Sequence, residues 1–105
     1  MTSVLLEFTM FPTDKVGSKS EEVSQIVKII RESGYPYQLT AMATLVETTN
    51  IKDALALVEK CYNKLDELGS HRVYSTLKFD IRKNCEDRLN GKVKSIEDKI
   101  GDVRK

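Results

Sequence analysis

The sequence has almost no excess of charge of either sign. Its 105 residues carry 17 Lys plus Arg against 16 Asp plus Glu, so the formal net charge is +1. Nucleic acids and anionic membrane surfaces attract proteins through an excess of basic residues, so we expect neither as a partner. The length suits a single domain, residues 1–105, which can bury roughly two-thirds of the surface that its unfolded chain exposes.

Long apolar runs are also absent. A membrane-spanning helix needs about 20 predominantly apolar residues in a row, and no run in this chain approaches that length. The N-terminus, MTSVLLEFTMF, lacks the basic start of a secretion signal, and Glu7 interrupts its apolar stretch. We therefore expect a cytoplasmic protein.

Cysteine and histidine are scarce. Cys61, Cys85 and the single histidine, His71, fit no metal-ligand spacing, so we expect no metal site and reduced thiols. Cys61 belongs to an apolar helical stripe and is expected in the core, whereas Cys85 lies in a polar segment. No acid or nucleophile accompanies His71 in the sequence, and no other catalytic signature is found. The sequence therefore indicates a protein that is not an enzyme.

Residues 72–82, RVYSTLKFDIR, have two unlike faces when every second residue is taken. Successive side chains of a strand point to opposite faces of its sheet. One face of this segment carries Val73, Ser75, Leu77, Phe79 and Ile81, and the other carries Tyr74, Thr76, Lys78, Asp80 and Arg82. The pattern predicts a strand with one face in a core and one polar face.

Residues 3–11 predict a second strand of this kind, which Pro12 ends. Its two faces are Val4, Leu6, Phe8 and Met10 on one side and Leu5, Glu7, Thr9 and Phe11 on the other. Glu7 is the one charge on an otherwise largely apolar strand. It is therefore a candidate for a functional group.

Three segments have the spacing of amphipathic helices. Ser18 and Glu21 fit a capping box before the first helix, Gly34 ends it, and Asn50 or Thr49 caps the second. The apolar stripes are, in chain order, Val23, Ile26, Val27 and Ile30; Ile51, Ala54, Leu55, Val58, Cys61, Tyr62, Leu65 and Leu68; and Leu89, Val93, Ile96, Ile100 and Val103. We expect each stripe to cover a sheet or a neighbouring subunit.

Residues 37–48 are β-branched, aromatic or small, but their number exceeds the five or six typical of a strand. One long strand and a hairpin of two short strands both remain open. With a hairpin, the chain has the ferredoxin-like βαββαβ order of an α+β protein, followed by an additional C-terminal helix. In that topology two helices cover one face of an antiparallel sheet, and the other face is open to a ligand or another subunit.

Several segments, in this order, resemble the thiamine-binding protein family of archaea, bacteria and yeast. They are EFTMFP at residues 7–12, ESGY at 32–35, YQLTAMATLVE at 37–47, RVYSTLKFDIR at 72–82 and KVKSIEDKI at 92–100. The resemblance implies a ferredoxin-like domain that associates through its sheet as a dimer or tetramer. It also implies a ligand, thiamine or its hydroxymethylpyrimidine part, and no enzyme activity.

The chain departs from the family pattern at three places. It has Ala41-Met42-Ala43-Thr44 where the family often has Pro-Met-Gly-Thr, and Val46-Glu47-Thr48 where the family often has Ile-Glu-Gly. The family's usual glycine after the first-strand proline is also missing, at Pro12-Thr13-Asp14. Alanine and threonine resist backbone angles that glycine adopts, so the hairpin and its pocket are expected to differ in this chain.

Thr44, Glu47, Lys78, Asp80 and Arg82 match the family pattern, and the chemistry of thiamine assigns roles to these and to neighbouring residues. Its cationic thiazolium calls for a carboxylate or an aromatic face, its aminopyrimidine for paired polar groups, and any phosphate for cations. The candidate ligand-binding residues are Glu7 and Glu47 for the cation, Thr9, Thr40 and Thr44 for the pyrimidine, and Lys78 or Arg82 for a phosphate, with Asp80 as a further match. Ion pairs on a solvated or interfacial sheet are the alternative explanation of the charged residues.

Three functions remain open from the sequence. The first is a homo-oligomeric, non-catalytic binding protein whose ligand lies between subunits on the open sheet face. The second is a structural or regulatory homo-oligomer in which subunit contacts occupy that face. The third is an enzyme that uses Glu7 or Glu47 as a general base.

Overall fold

A four-stranded antiparallel sheet and three helices make up the fold, in the order βαββαβα. The structure is a computed structural model, and it describes residues 1–14, 16, 17 and 19–105. Its elements are β1 (Thr2–Pro12), α1 (Ser20–Glu32), β2 (Tyr37–Leu39), β3 (Thr44–Thr48), α2 (Ile51–Glu67), β4 (Val73–Lys83) and α3 (Arg88–Ile100). Within the described ranges, no helix is long and apolar enough to cross a membrane.

The strand order is β2-β3-β1-β4, and every neighbouring pair is antiparallel. This confirms the ferredoxin-like prediction and answers the question about residues 37–48, which form a hairpin. The hairpin turns at Thr40, whose N–H donates to the Ala43 carbonyl at 2.9 Å and whose hydroxyl donates to the same oxygen at 2.8 Å. A polar side chain thus closes a turn that contains no glycine.

The start of α2 and the C-terminal ends of α1 and α2 follow the signals in the sequence. Asn50 caps α2, because its side-chain oxygen accepts the N–H of Asp53 at 2.8 Å. Gly34 and Gly69 follow α1 and α2 at φ values of +85° and +91°, which is the left-handed conformation that glycine adopts at helix ends. The predicted capping box depends on Ser18, which lies outside the described residues.

The core lies between α1, α2 and one face of the sheet, called the core face below. Its buried cluster consists of Leu6, Phe8, Met10, Ile26, Ile30, Val46, Leu57, Cys61 and Leu65. The alternation predicted for β1 is confirmed, since Val4, Leu6, Phe8 and Met10 are all buried. Cys61 is in the core as expected, and burial raises the pKa of its thiol to about 12.

The sequence prediction for the buried stripe of α2 was partly wrong. Ala54, Cys61 and Leu65 are buried, but the core also takes Leu57, which the prediction omitted. Four predicted members of the stripe are exposed instead: Ile51, Leu55, Tyr62 and Leu68. Only one narrow face of a helix can pack fully against a sheet. Residues three or four positions apart share a face, so Leu57 lies on the same face as Ala54 and Leu55 does not.

The core face of β4 is less buried than its alternation predicts. Val73, Ser75 and Phe79 are half-buried, but Leu77 and Ile81 are 38% and 51% exposed. The reason is topological, because β4 is an edge strand and α1 and α2 make their main sheet contacts with β1, β2 and β3. An uncovered strip of apolar side chains therefore runs along this edge of the sheet.

The opposite face of the sheet, called the free face below, is not fully open. It carries Ser3, Leu5, Glu7, Thr9 and Phe11 of β1, and α3 begins on it. No side chain of α3 is fully buried, and Ile96 and Ile100 are 46% and 72% exposed. Of the predicted α3 seam, Leu89, Val93 and Val103 are half-buried, whereas Ile96 and Ile100 are exposed, so the seam is only partly covered.

Candidate functional site

Glu47 holds the first turn of α3 on the free face. Its carboxylate accepts the main-chain N–H of Arg88 and that of Leu89, each at 3.0 Å, and the Ser3 hydroxyl at 2.5 Å. The first N–H groups of a helix have no partner within the helix, so a carboxylate at this position satisfies them and complements the helix dipole. Glu47 therefore acts as a capping group supplied from another strand.

The surroundings of Glu47 keep its carboxylate charged. The residue is only 6% exposed, and burial alone would raise its pKa. The hydrogen bonds from Ser3, Leu89 and Arg88, together with the positive charge of Arg88, outweigh burial and lower the pKa below its ordinary value. With three donors already bound, this carboxylate is poorly placed to pair with a ligand.

Arg88 connects the start of α3 to two strands. Its guanidinium donates to the Ser3 hydroxyl and carbonyl, each at 2.9 Å, and to the Asp80 carbonyl at 2.5 Å. It also pairs with the Asp80 carboxylate at 3.0 Å. Arg88 could not be identified from the sequence, because its partners are distant in the chain and no local pattern marks it. Asp80 is thus in an ion pair on the sheet, as the alternative explanation of the charged residues requires.

Beside the start of α3, the free face has a shallow depression of about 180 Å³. It is bordered by Leu5, Glu7, Leu45, Lys78, Asp80 and Leu89. Glu7 is exposed and lies opposite Leu45 on β3 and Lys78 on β4. Three candidate residues therefore meet here, namely Glu7, Lys78 and Asp80. The third charged candidate on β4, Arg82, lies opposite Ser3 near the end of the sheet. It borders neither this depression nor the cavity beside the β2–β3 hairpin.

A second cavity, called the edge pocket below, has a volume of about 300 Å³. It lies between residues 8–11 of β1, residues 39–44 of the hairpin, and Val23, Ile26 and Val27 of α1. Its walls are predominantly apolar, and none of the described residues that line it carries a charge. The half-burial of Val23 and Val27, which the helical pattern placed in the core, follows from their position on this wall.

The three candidate threonines all line the edge pocket, but their hydroxyl groups differ. The Thr9 hydroxyl is hydrogen-bonded to that of Thr76 at 2.5 Å, and the Thr40 hydroxyl closes the hairpin turn. Thr44 is 6% exposed, and in the described part of the chain its hydroxyl has no hydrogen-bond partner. Thr44 is therefore the threonine whose side chain is available to a molecule in the pocket.

A larger groove, of about 450 Å³, lies between α3 and β2. Its lining includes Gln38, Val93, Glu97 and Lys105, and it contains none of the candidate residues.

His71 donates its main-chain N–H to the Asp14 carboxylate at 2.8 Å, a contact that connects the loop after β1 to the end of α2. Among residues 1–14, 16, 17 and 19–105, no cluster of three His, Cys, Asp or Glu side chains could hold a metal ion.

The candidate residues therefore lie at three separate locations in the structure. Glu7, Lys78 and Asp80 border the free-face depression, Thr9, Thr40 and Thr44 line the edge pocket, and Glu47 caps α3. The segments 7–12 and 37–47, which carry much of the family resemblance, meet at the edge pocket. The apolar wall from α1 was not foreseen, although the helical spacing of Val23 and Val27 could have suggested it.

Comparison with known proteins agrees with this architecture. The chain is 30% identical over 98 residues to a UPF0045 protein of Methanothermobacter thermautotrophicus, with 92% of this chain and 99% of the relative covered. A crystal structure of a hypothetical protein from Methanocaldococcus jannaschii superposes with a TM-score of 0.77 at 27% identity, covering 91% of this chain and 97% of that one. A Thermotoga maritima protein, provisionally assigned to thiamine biosynthesis or salvage, has the same fold, with a TM-score of 0.75 at 17% identity and coverage of 89% and 98%.

A family model described as thiamine-binding protein matches residues 6–97, which include every described residue that lines the edge pocket. The match extends from β1 to α3 and so covers nearly the whole fold. The chain belongs to the thiamine-binding protein family.

Proposed function

We propose that this protein binds thiamine, or a related compound with an aminopyrimidine or thiazole ring, and does not catalyse a reaction. The observation that carries the proposal is the edge pocket, where two segments typical of the family meet around an apolar cavity. Its volume of about 300 Å³ is at the lower end of the roughly 300–1,000 Å³ usual for small-molecule sites. A compact heteroaromatic ring suits such a cavity, whereas a dinucleotide does not.

The charges around the edge pocket and the free-face depression suggest that the neutral ring of the ligand and its cationic part bind in different places. The described residues that line the edge pocket are uncharged, and burying an unpaired charge is costly, so a neutral ring fits there better than a thiazolium or a phosphate. Thr9 lines the pocket and Glu7 lies two residues away on the same face of β1, about 6.6 Å along the strand. Glu7 is therefore our preferred carboxylate for the cationic part, in place of Glu47.

The environment of Glu47 also supports a function without catalysis. A general base is most effective when its pKa lies near the working pH, and enzymes often raise the pKa of a carboxyl group for this purpose. The pKa of Glu47 is shifted in the opposite direction, and its oxygens are hydrogen-bonded to Ser3, Arg88 and Leu89. These contacts suit a structural role.

We also propose that the protein is a homo-oligomer that associates along β4. This edge strand has 11 residues without proline or glycine, and no strand among the described residues pairs with its outer edge. Leu77 and Ile81 on its core face, and Leu55 and Tyr62 on α2, are apolar and exposed. A long exposed edge strand beside apolar side chains is usually covered by another chain, and a second copy is the simplest partner.

Isothermal titration calorimetry with thiamine tests the binding proposal. We expect saturable heat with the wild-type protein and at least tenfold weaker binding by Val27→Phe, because the larger side chain fills the edge pocket. Val58→Phe is the matched control, since Val58 is also a half-buried helical valine but does not line the pocket. Absence of heat with millimolar thiamine would contradict the proposal and favour a structural homo-oligomer.

A further inference from the structure

β1 extends beyond its partner β3 at the edge pocket. The last pair in the register between these strands is Phe8 with Thr44, whereas β1 continues to Pro12 and, among the described residues, pairs there with β4 alone. The four consecutive residues 8–11 all line the pocket, although their side chains alternate between the two faces. The pocket therefore lies along the backbone edge of β1, at the place that a longer β3 would occupy.

The hydrogen bonds at the two ends of β1 show which main-chain groups face this edge. The Thr13 N–H donates to the Arg72 carbonyl, and the Asn84 N–H donates to the Met1 carbonyl. Odd-numbered residues thus direct their main-chain groups to β4, and even-numbered residues direct theirs to the side of β3, because the two directions alternate along a strand. Pro12 is consistent with this pattern, since its missing N–H would point to the unpaired side.

Met10 is consequently the residue that presents both an N–H and a C=O to the edge pocket. It follows Phe8 in the even series, and β3 has no residue opposite it. Within the described ranges, no loop or turn forms a main-chain hydrogen bond with it. An N–H and a C=O of one residue, side by side on an unpaired strand edge, form a donor and acceptor pair.

We propose that this strand edge recognises the 4-aminopyrimidine ring of the ligand, an inference that rests on the proposed function. A ring nitrogen accepts the Met10 N–H, and the adjacent amino group donates to the Met10 carbonyl. Thr44 lines the same pocket, and its hydroxyl adds a third hydrogen bond. The ring thus continues the sheet in place of the missing β3 residues, between the apolar walls of α1 and the hairpin.

This arrangement makes the amino group the determinant of specificity. Oxythiamine carries an oxo group in place of the amino group and a proton on the adjacent ring nitrogen, so its donor and acceptor are reversed relative to Met10. Two matched hydrogen bonds would become two mismatched pairs, and each buried group left unpaired weakens binding on the order of tenfold to a hundredfold. The thiazole part should contribute less, because Glu7, the carboxylate proposed for its charge, is exposed and lies outside the pocket.

Calorimetric titrations with four probes test the inference. We expect thiamine and hydroxymethylpyrimidine to bind, oxythiamine to bind at least tenfold more weakly than thiamine, and the isolated thiazole alcohol to show no saturable heat. Thiamine and oxythiamine binding equally well would overturn the role of the Met10 edge while leaving the proposed function standing. Absence of binding by all four probes would overturn both.

A pair of variants tests the third hydrogen bond separately. Thr44→Val keeps the side-chain shape and removes the hydroxyl, so we expect about tenfold weaker binding of hydroxymethylpyrimidine. Thr48→Val is the control, because Thr48 is buried on the same face of β3 but donates to the Asn50 carbonyl, away from the pocket. Equal affinity of Thr44→Val and the wild-type protein, with both variants folded, would show that Thr44 does not contact the ring.

Discussion

Glu47 on β3 accepts the main-chain N–H of Arg88 at 3.0 Å, a contact between residues 41 positions apart that fixes where α3 begins. The same carboxylate accepts the Leu89 N–H and the Ser3 hydroxyl. This cluster closes one end of the free face and leaves the edge pocket, at the other end of β3, accessible. Glu47 therefore has a structural role, and we propose that the ligand binds elsewhere, in the edge pocket.

The first prediction concerns the contribution of Glu47 to stability. Glu47→Gln keeps the size of the side chain but loses the charge that two main-chain N–H groups and Arg88 require. We expect the free energy of unfolding in urea to fall by about 1.5 to 3 kcal/mol, the usual value of hydrogen bonds to a charged group. Glu7→Gln, an exposed change on the same face, should alter it by less than about 0.5 kcal/mol.

The second prediction concerns the pH dependence of that contribution. The pKa of Glu47 in the folded protein is below its ordinary value of 4.5. The charged carboxylate therefore stabilises the fold fully above that value, and the contribution is lost as the pH falls through the folded-state pKa. Urea unfolding from pH 7 to pH 3 should show the stability difference between wild type and Glu47→Gln shrinking below pH 4.5. A constant difference over this range would be inconsistent with the account.

The sequence predicted those features that depend on local pattern. The faces of β1, the cap at Asn50 and the helix stop at Gly34 follow from alternation, side-chain chemistry and glycine conformation. The contacts of Glu47 and Arg88 could not be predicted in this way, because they join residues of β1, β3, β4 and α3. The α2 stripe was misjudged since apolar residues on this helix cover more than one face.

The edge pocket was only partly foreseeable. Thr40 and Thr44 were identified through the family resemblance, but the sequence did not show that β3 begins at Thr44 and leaves Met10 without a partner. Strand ends depend on the turn that precedes them, and here Thr40 closes that turn through its hydroxyl group. A difference of two residues in the start of β3 would have covered the Met10 edge.

The third prediction concerns the two cysteines. Burial raises the pKa of the Cys61 thiol to about 12, so at pH 7.5 almost no thiolate exists there, and the core also excludes reagents. Cys85 is half-buried and follows β4. Ellman's reagent should modify one thiol of the native protein and both thiols after denaturation. Rapid modification of both thiols in the native protein would mean that the core around Cys61 opens readily.

The fourth prediction concerns assembly along β4. Leu77→Lys places a charge among the exposed apolar side chains of this edge and should shift the sedimentation mass toward that of a monomer. Thr76→Lys is its control, because it adds the same charge to the opposite face of the same strand. A wild-type protein that sediments as a monomer at micromolar concentration would refute the proposed oligomer.

The central claim is that the ligand occupies the edge pocket, and chemical-shift mapping with ¹⁵N-labelled protein and thiamine tests it most directly. We predict that the largest amide shifts fall on Met10, Val27 and Thr44, with the Met10 proton moving downfield as its N–H gains an acceptor. Lys78 and Asp80, on the free-face depression, should change little. Shifts confined to Glu7, Lys78 and Asp80, or no shifts with saturating thiamine, would contradict the account.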